Sequence, residues 1–185
     1  MIASLNKLLS CDKGPHLHSA TSQSRKLSLR YKSTHIPMLA ASFLLISLLS
    51  GCGGTAPEDL GAEDGALKPC PETPNCVSTQ AKKSDTEHRM EPIAYVGGKG
   101  DVKAAIMETI EESSRASILE NGEDYVRAEF TSRIFRFVDD VEFYIDEDER
   151  LVHFRSASRI GSSDMGANRE RMTEIRKNLK AKLDE

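Results

Sequence analysis

The segment RSASRIGSSDMGANRER, residues 155–171, concentrates side chains that bind anions. Arginine presents a planar fork of donors that matches carboxylate and phosphate groups. Three arginines flank a Ser-Asp step at which a helix is expected to start, and a helix start carries unpaired N–H groups and partial positive charge. The segment therefore predicts a site for a small anionic ligand. The residues of this site are Arg155, Arg159, Ser163, Asp164 and Arg169.

The same residues also have a purely structural interpretation. The stretch FRFVDDVEF, residues 135–143, supplies the acidic partners Asp139, Asp140 and Glu142. In this interpretation the arginines pair with those acids and Asp164 caps the helix. From the sequence alone both interpretations stay open.

A predicted hairpin over residues 134–157 restricts the choice for one arginine. Its apolar residues alternate along both strands, and they must share one face because a one-residue slip would expose half of them. Two registers satisfy this condition, and they place Arg155 opposite either Glu142 or Asp140. We expect an exposed ion pair there, contributing about 0.2–1 kcal/mol.

An enzyme is the alternative to a binding or structural role. Asp139 or Asp140 would act as general acid or base while Arg155 and Arg159 hold an anionic substrate. Neighbours on a strand point to opposite faces, so the two aspartates share a pocket only if the strand bulges. His153 is a second candidate base, although packing is its commoner role. We therefore favour binding and assign no catalytic residue and no cofactor.

The cysteines of CPETPNC predict a disulfide between Cys70 and Cys76. Oxidising compartments outside the cytoplasm favour such pairs. A metal site would need two further ligands, and beyond residue 52 the histidines are His88 and His153. A redox pair more usually has C-x-x-C spacing. We assign no metal site.

The N-terminal part has the features of an exported lipoprotein. The apolar run 38–50 is 13 residues long, which suits a signal peptide better than a membrane span of about 20 residues. It ends in Leu49-Ser50-Gly51-Cys52, which resembles a bacterial lipobox, with an ordinary secretory signal as the alternative. The sequence predicts that residues 1–51 are removed and that Cys52 carries the lipid.

Localisation and charge follow from this processing. Gly53 after the cysteine predicts sorting to the periplasmic face of the outer membrane, since no aspartate there would retain the protein. Residues 52–185 contain 28 acids and 19 bases, a net charge of −9. This charge argues against nucleic acid and against electrostatic adhesion to anionic lipid. We expect membrane attachment through the lipid, with an envelope protein or a small anionic ligand as partner.

The sequence after Cys52 predicts a small α+β domain. Residues 52–66 are acidic and rich in glycine and proline, which indicates a flexible tether, and residues 67–185 form a single domain. Apolar spacing predicts an antiparallel sheet with two helices on one face, in the order β-α-β-β-β-α. The predicted elements are strand 91–96, helix 101–116, strands 125–130, 134–145 and 151–157, and helix 165–183.

Three motifs resemble the family named domain of unknown function 1499. They are CPETPNCVST at 70–79, FRFVDDVEF at 135–143 and RSASRIGSSDMGANRER at 155–171, and the resemblance covers residues 67–182. It implies a small exported or membrane-associated domain. The family carries no established activity, so the resemblance transfers no catalytic residue. One departure is Ser162, where the family often has an aromatic residue.

Overall fold

A computed structural model describes residues 54–184. The predicted leader and the lipidation site Cys52 lie outside the described residues. Within them, two helices and a largely antiparallel sheet confirm the α+β class. The strands are β1 Ala62–Glu63, β2 Ala66–Leu67, β3 Cys76–Ser78, β4 Ile93–Ala94, β5 Ala116–Asn121, β6 Tyr125–Thr131, β7 Val138–Asp146 and β8 Leu151–Ser158. The helices are α1 Lys99–Glu111 and α2 Ala167–Leu183.

The main sheet has the order β3-β8-β7-β6-β5, and β4 also pairs with β8. The six predicted elements appear in the predicted order, so the order is roughly matched. The short strands β1 and β2 form a separate ribbon, and β3 and β5 join the main sheet. These four strands were missed by the sequence reasoning.

The end of α1 and the strand after it differ from prediction. The helix ends at Glu111 rather than at residue 116, and Arg115, with φ of 60°, turns the chain into β5. A register shift between Ile118 and Glu120 interrupts the pairing of β5 with β6. Strand β5 is a largely exposed edge strand, and its register shift interrupts the alternation of apolar and polar residues. The two-residue pattern that predicts a strand is therefore absent from its sequence.

Strand β7 begins later than predicted. Residues 132–137 form a loop, in which the backbone N–H of Ser132 donates to the Phe137 carbonyl over 2.8 Å. The Phe137 N–H donates back to Ser132 Oγ over 2.8 Å. The prediction of a strand from residue 134 was wrong. Phe135 and Phe137 of the loop occupy odd-numbered positions, as do the core residues Val141 and Phe143, so the loop continues the apolar alternation of the strand.

The disulfide loop joins the sheet. Cys70 and Cys76 are bonded, with a Cα–Cα distance of 5.6 Å, as predicted. Cys76 then opens β3 and pairs with Ala157 of β8. Part of the segment expected to be a tether also lies on the sheet, since Gly61 N–H donates to Glu142 Oε1 over 3.2 Å.

The hydrophobic core lies between the helices and one face of the sheet. Its largest buried side chains include Phe143, Phe154, Met172 and Leu179. In the described part of the chain, all members of this cluster come from residues 77–179. The core seen in the described residues thus lies well inside residues 54–184, and we expect this part to fold by itself.

The small disulfide ring predicts a modest loss of stability on its removal. Replacing Cys70 and Cys76 together by serine should lower the free energy of unfolding by about 2 kcal/mol, because a short ring restricts the unfolded chain only slightly. Urea denaturation measures this difference, and reduction of the wild type should reproduce it. Two thiols that react with an alkylating agent in the unreduced exported protein would contradict the pairing.

Candidate functional site

The hairpin of β7 and β8 positions the predicted acids and arginines. Its register pairs Phe143 with Phe154 and Glu142 with Arg155, which is one of the two predicted alignments. Alternation along β7 then separates the acids between the two faces of the sheet. Asp139 points to the helices, whereas Asp140 and Glu142 point to the opposite face, which we call the outer face.

The first outer-face pair is buried rather than exposed. Arg155 Nη1 donates to Glu142 Oε2 over 2.9 Å, and Glu142 is 0% exposed. The Tyr125 hydroxyl donates to the other carboxylate oxygen over 2.9 Å. Burial, together with this anionic neighbour, raises the pKa of Tyr125. The expectation of an exposed pair was wrong because the segment at Gly61 covers this face.

A second outer-face cluster surrounds Arg159. Its Nε and Nη2 each donate to Asp140 over 2.8 Å, and Nη2 also donates to Glu129 over 3.0 Å. Hydrogen bonding to Asp140 is the main cause that raises the pKa of Arg159. The guanidinium is thus held by two carboxylates, and its side chain is almost fully buried.

A third cluster lies on the helix-facing side, where an arginine pairs with Asp139 as the structural interpretation expected, whereas the sequence reasoning missed the role of Asn168. Arg171 Nη2 donates to Asp139 over 2.6 Å, and its guanidinium lies 5.0 Å from the centroid of the Phe130 ring. Arg171 also donates to the amide oxygen of buried Asn168 over 2.8 Å. Asn168 in turn donates to the Asn75 carbonyl over 3.1 Å, which ties the disulfide loop to α2. The i, i+3 spacing of Asn168 and Arg171 was the available signal.

The remaining predicted site residues lie at the start of α2. Asp164 accepts the N–H groups of Gly166 over 2.9 Å and Asn168 over 2.7 Å, so it serves as a cap. Arg169 donates to the Glu87 and Arg89 carbonyls. A depression of about 300 Å³ brings together Ser163, Asp164 and Arg169. Arg155 and Arg159 point to the outer face, so the five residues do not converge.

A separate polar cleft of about 480 Å³ lies between the end of α1, the end of β6 and α2. Side chains of both charges line this cleft, namely those of Arg115 and Arg171 and those of Glu112, Glu170 and Glu174. This mixture suits a polar partner group better than a simple anion, because the glutamates offset the arginines.

A possible metal-binding group was also missed. Asp146, Glu149 and His153 offer ligand atoms within 4.8 Å of one another. The Thr79 hydroxyl lies 3.1 Å from His153 Nδ1 and orients the ring. Burial lowers the pKa of His153, so the folded state favours the neutral imidazole. An imidazole and two carboxylates are a donor set that zinc accepts.

The family described as "Protein of unknown function (DUF1499)" matches residues 66–179. The chain belongs to this family. Within the DUF1499 domain, the strands that carry the three motifs are neighbours, since β8 pairs with both β3 and β7. The motifs are therefore adjacent in the sheet, with ion pairs between the second and third motifs and strand pairing between the first and third. No curated protein matches the chain.

The helices of the DUF1499 domain do not provide a membrane span. Among the described residues, no helix is both long and apolar enough to cross a bilayer.

The ion pairs predict a large effect for the removal of Arg159. Arg159→Met should destabilise the domain by about 3–5 kcal/mol, because buried Asp140 loses its counter-charge. Arg133→Met is the matched control at an exposed position and should change stability by less than about 0.5 kcal/mol. Urea denaturation compares the two variants, and equal losses would contradict the buried pair.

His88 makes part of the stability depend on pH. Burial lowers its pKa, but hydrogen bonds to Asp85 and to the Thr73 carbonyl outweigh burial and hold the pKa above its ordinary value of 6.5. The folded state therefore favours the charged ring. This contribution is fully present below the unfolded pKa and is lost as pH rises through the raised folded pKa.

His88→Gln should accordingly reduce the melting temperature more at about pH 5.5 than at about pH 8.5. Thermal unfolding of both proteins in matched buffers measures this difference. Asp85→Asn should remove most of the pH dependence of the His88 effect. A larger loss at the alkaline pH would show that the sign of the pKa shift is wrong.

Proposed function

We propose that this chain is an exported module of the cell envelope, anchored by lipid on Cys52, that acts by binding another envelope component. One observation carries the preference for binding over chemistry. Among the described residues, the candidate catalytic acids Asp139 and Asp140 are held by Arg171 and Arg159 in buried ion pairs. Their charges stabilise the fold and are not free to act on a substrate.

A small anionic ligand is the less favoured partner. An anion at Arg155 or Arg159 would have to displace a buried carboxylate from either guanidinium. Arg169 is more accessible, but its guanidinium already donates to two carbonyl groups, and Asp164 lines the same depression. The surface therefore favours a larger partner that is recognised through exposed groups.

The enzyme alternative would use the same Asp/Arg cluster on an anionic substrate. Either Asp139 or Asp140 alone would supply the general acid or base, but each is already held by an arginine in a buried ion pair. The two aspartates do not act on one substrate together, because they point to opposite faces of β7.

The sequence around Cys52 supports the envelope location. The lipobox-like Leu49–Cys52 ends an apolar run of signal-peptide length, and the domain starts shortly after it. A domain with a disulfide suits an oxidising compartment outside the cytoplasm. We propose the periplasmic face of the outer membrane as the site of attachment.

Metabolic labelling tests the anchor. Cells that express the wild type should incorporate labelled palmitate into the protein, and Cys52→Ala should abolish incorporation, because the thiol is the attachment point. Cys11→Ala is the matched control and should retain the label. Equal labelling of wild type and Cys52→Ala would overturn the anchor, and sucrose-gradient fractionation wholly with inner-membrane markers would overturn the proposed sorting.

A further inference from the structure

The loop 132–137, which we call the apolar-basic loop, exposes large apolar side chains. Ile134 is 79% exposed, Phe135 69% and Phe137 44%. The two phenyl rings stack with their centroids 5.6 Å apart. Isolated exposed apolar residues are common, but a contiguous group of this kind marks an interaction surface.

The backbone holds this loop in one shape. The two hydrogen bonds between Ser132 and Phe137 close its base. Arg136 adopts the left-handed conformation, with φ of 55°, at the turn. The loop therefore presents its aromatic rings from a fixed frame on strands β6 and β7.

The first described residue lies at the same end of the sheet. An added Cβ on Gly54 would be 3.0 Å from Arg159 Cβ and 3.0 Å from Ile160 Cγ2. The Arg159 N–H donates to the Val138 carbonyl over 3.1 Å, directly beside the base of the apolar-basic loop. Gly54 is two residues after Cys52, and two residues reach at most about 7 Å. The proposed lipid therefore attaches close to this end.

Charge is divided between the two ends of the sheet. The loop contains Arg133 and Arg136 and no acid, whereas the β7–β8 turn contains the acidic run 146–149. Strand β7 connects these ends through nine residues, which corresponds to about 27 Å. The loop is therefore locally basic and apolar, although residues 52–185 together carry a net charge of −9 and Glu112, Glu170 and Glu174 line the cleft beside Ser132.

We infer that the apolar-basic loop inserts into the interface of the same bilayer that holds the lipid anchor, with Arg133 and Arg136 at anionic headgroups. Phenylalanine, isoleucine and arginine together suit the boundary between acyl chains and headgroups. The inference rests on the proposed anchor at Cys52 and names the binding partner as the lipid surface. The loop would hold the domain upright, with the acidic end directed away from the membrane.

A tryptophan reporter tests this arrangement, because the chain contains no tryptophan. Phe135→Trp places one reporter in the loop. Val96→Trp is the matched control, since Val96 is 78% exposed. It lies at the opposite end of the sheet, because the N–H of its neighbour Tyr95 donates to the Arg150 carbonyl beside the acidic turn. Both reporters are introduced into residues 54–185, which contain the described core, and into the full-length lipidated chain.

The fragment is mixed with phosphatidylcholine vesicles with and without phosphatidylglycerol. Emission from Phe135→Trp should shift to the blue with the anionic vesicles, and brominated acyl chains should quench it, while Val96→Trp stays unchanged. Arg133→Gln with Arg136→Gln should weaken vesicle partitioning about tenfold or more, because each arginine near the surface contributes separately. Ile134→Ser should weaken it by a similar factor, and Val96→Ser should not.

The lipidated chain, reconstituted into the same vesicles, separates the two proposals. If palmitate labelling fails but the fragment reporter shifts, the anchor is wrong and the loop surface stands. If labelling succeeds and the Phe135 reporter remains unshifted in both proteins, the loop inference is overturned and the anchor stands.

Other results also overturn the loop inference. Equal shifts of both reporters would indicate non-specific adsorption. A blue shift without vesicles that grows with protein concentration would assign the surface to a second copy of the chain. Unchanged partitioning of Ile134→Ser would exclude insertion. Thermal unfolding of each variant verifies that the domain is folded. We expect every variant to fold, because the substituted positions are exposed.

Discussion

Burial of three carboxylates on one strand is the constraint on which the rest of the structure depends. Asp139, Asp140 and Glu142 of β7 are all buried. An isolated buried carboxylate costs several kcal/mol, so each requires a counter-charge and hydrogen bonds. The counter-charges come from Arg171, Arg159 and Arg155, which follow the strand in the chain.

These pairs determine how the elements are assembled. Arg155 and Arg159 bring the outer face of β8 onto β7, and Arg171 brings α2 onto the opposite face. Asn168 extends the latter contact to the disulfide loop. A displaced hairpin or helix would leave a buried charge without a partner, which disfavours alternative registers more strongly than apolar packing alone.

Because the motif residues are paired with one another, exposed surfaces are better candidates for function than the motifs. Arginines and aspartates in a motif usually suggest a site for a ligand, but here they are paired with one another inside the fold. Among the described residues, the exposed surface includes the apolar-basic loop at one end of the sheet and the acidic turn at the other. The membrane attachment proposed near the loop would give this asymmetry a physical reason.

Local patterns in the sequence were sufficient for the class of fold and for much of the hairpin. The 3.6-residue spacing indicated both helices, and alternation indicated β6 and β8 and limited the hairpin to two registers. The Cys70–Cys76 pairing followed from spacing and compartment. These features depend on residues close in the chain, so their period or spacing is visible in the sequence.

Tertiary structure alone decided which arginine pairs with which acid and which pairs are buried. Burial of Glu142 depends on Gly61, 81 residues earlier in the chain. The grouping of His153 with Asp146 and Glu149 depends on the turn, and the exposure of Phe135 depends on where β7 begins. Such outcomes arise from contacts between distant segments, which leave no period in the sequence.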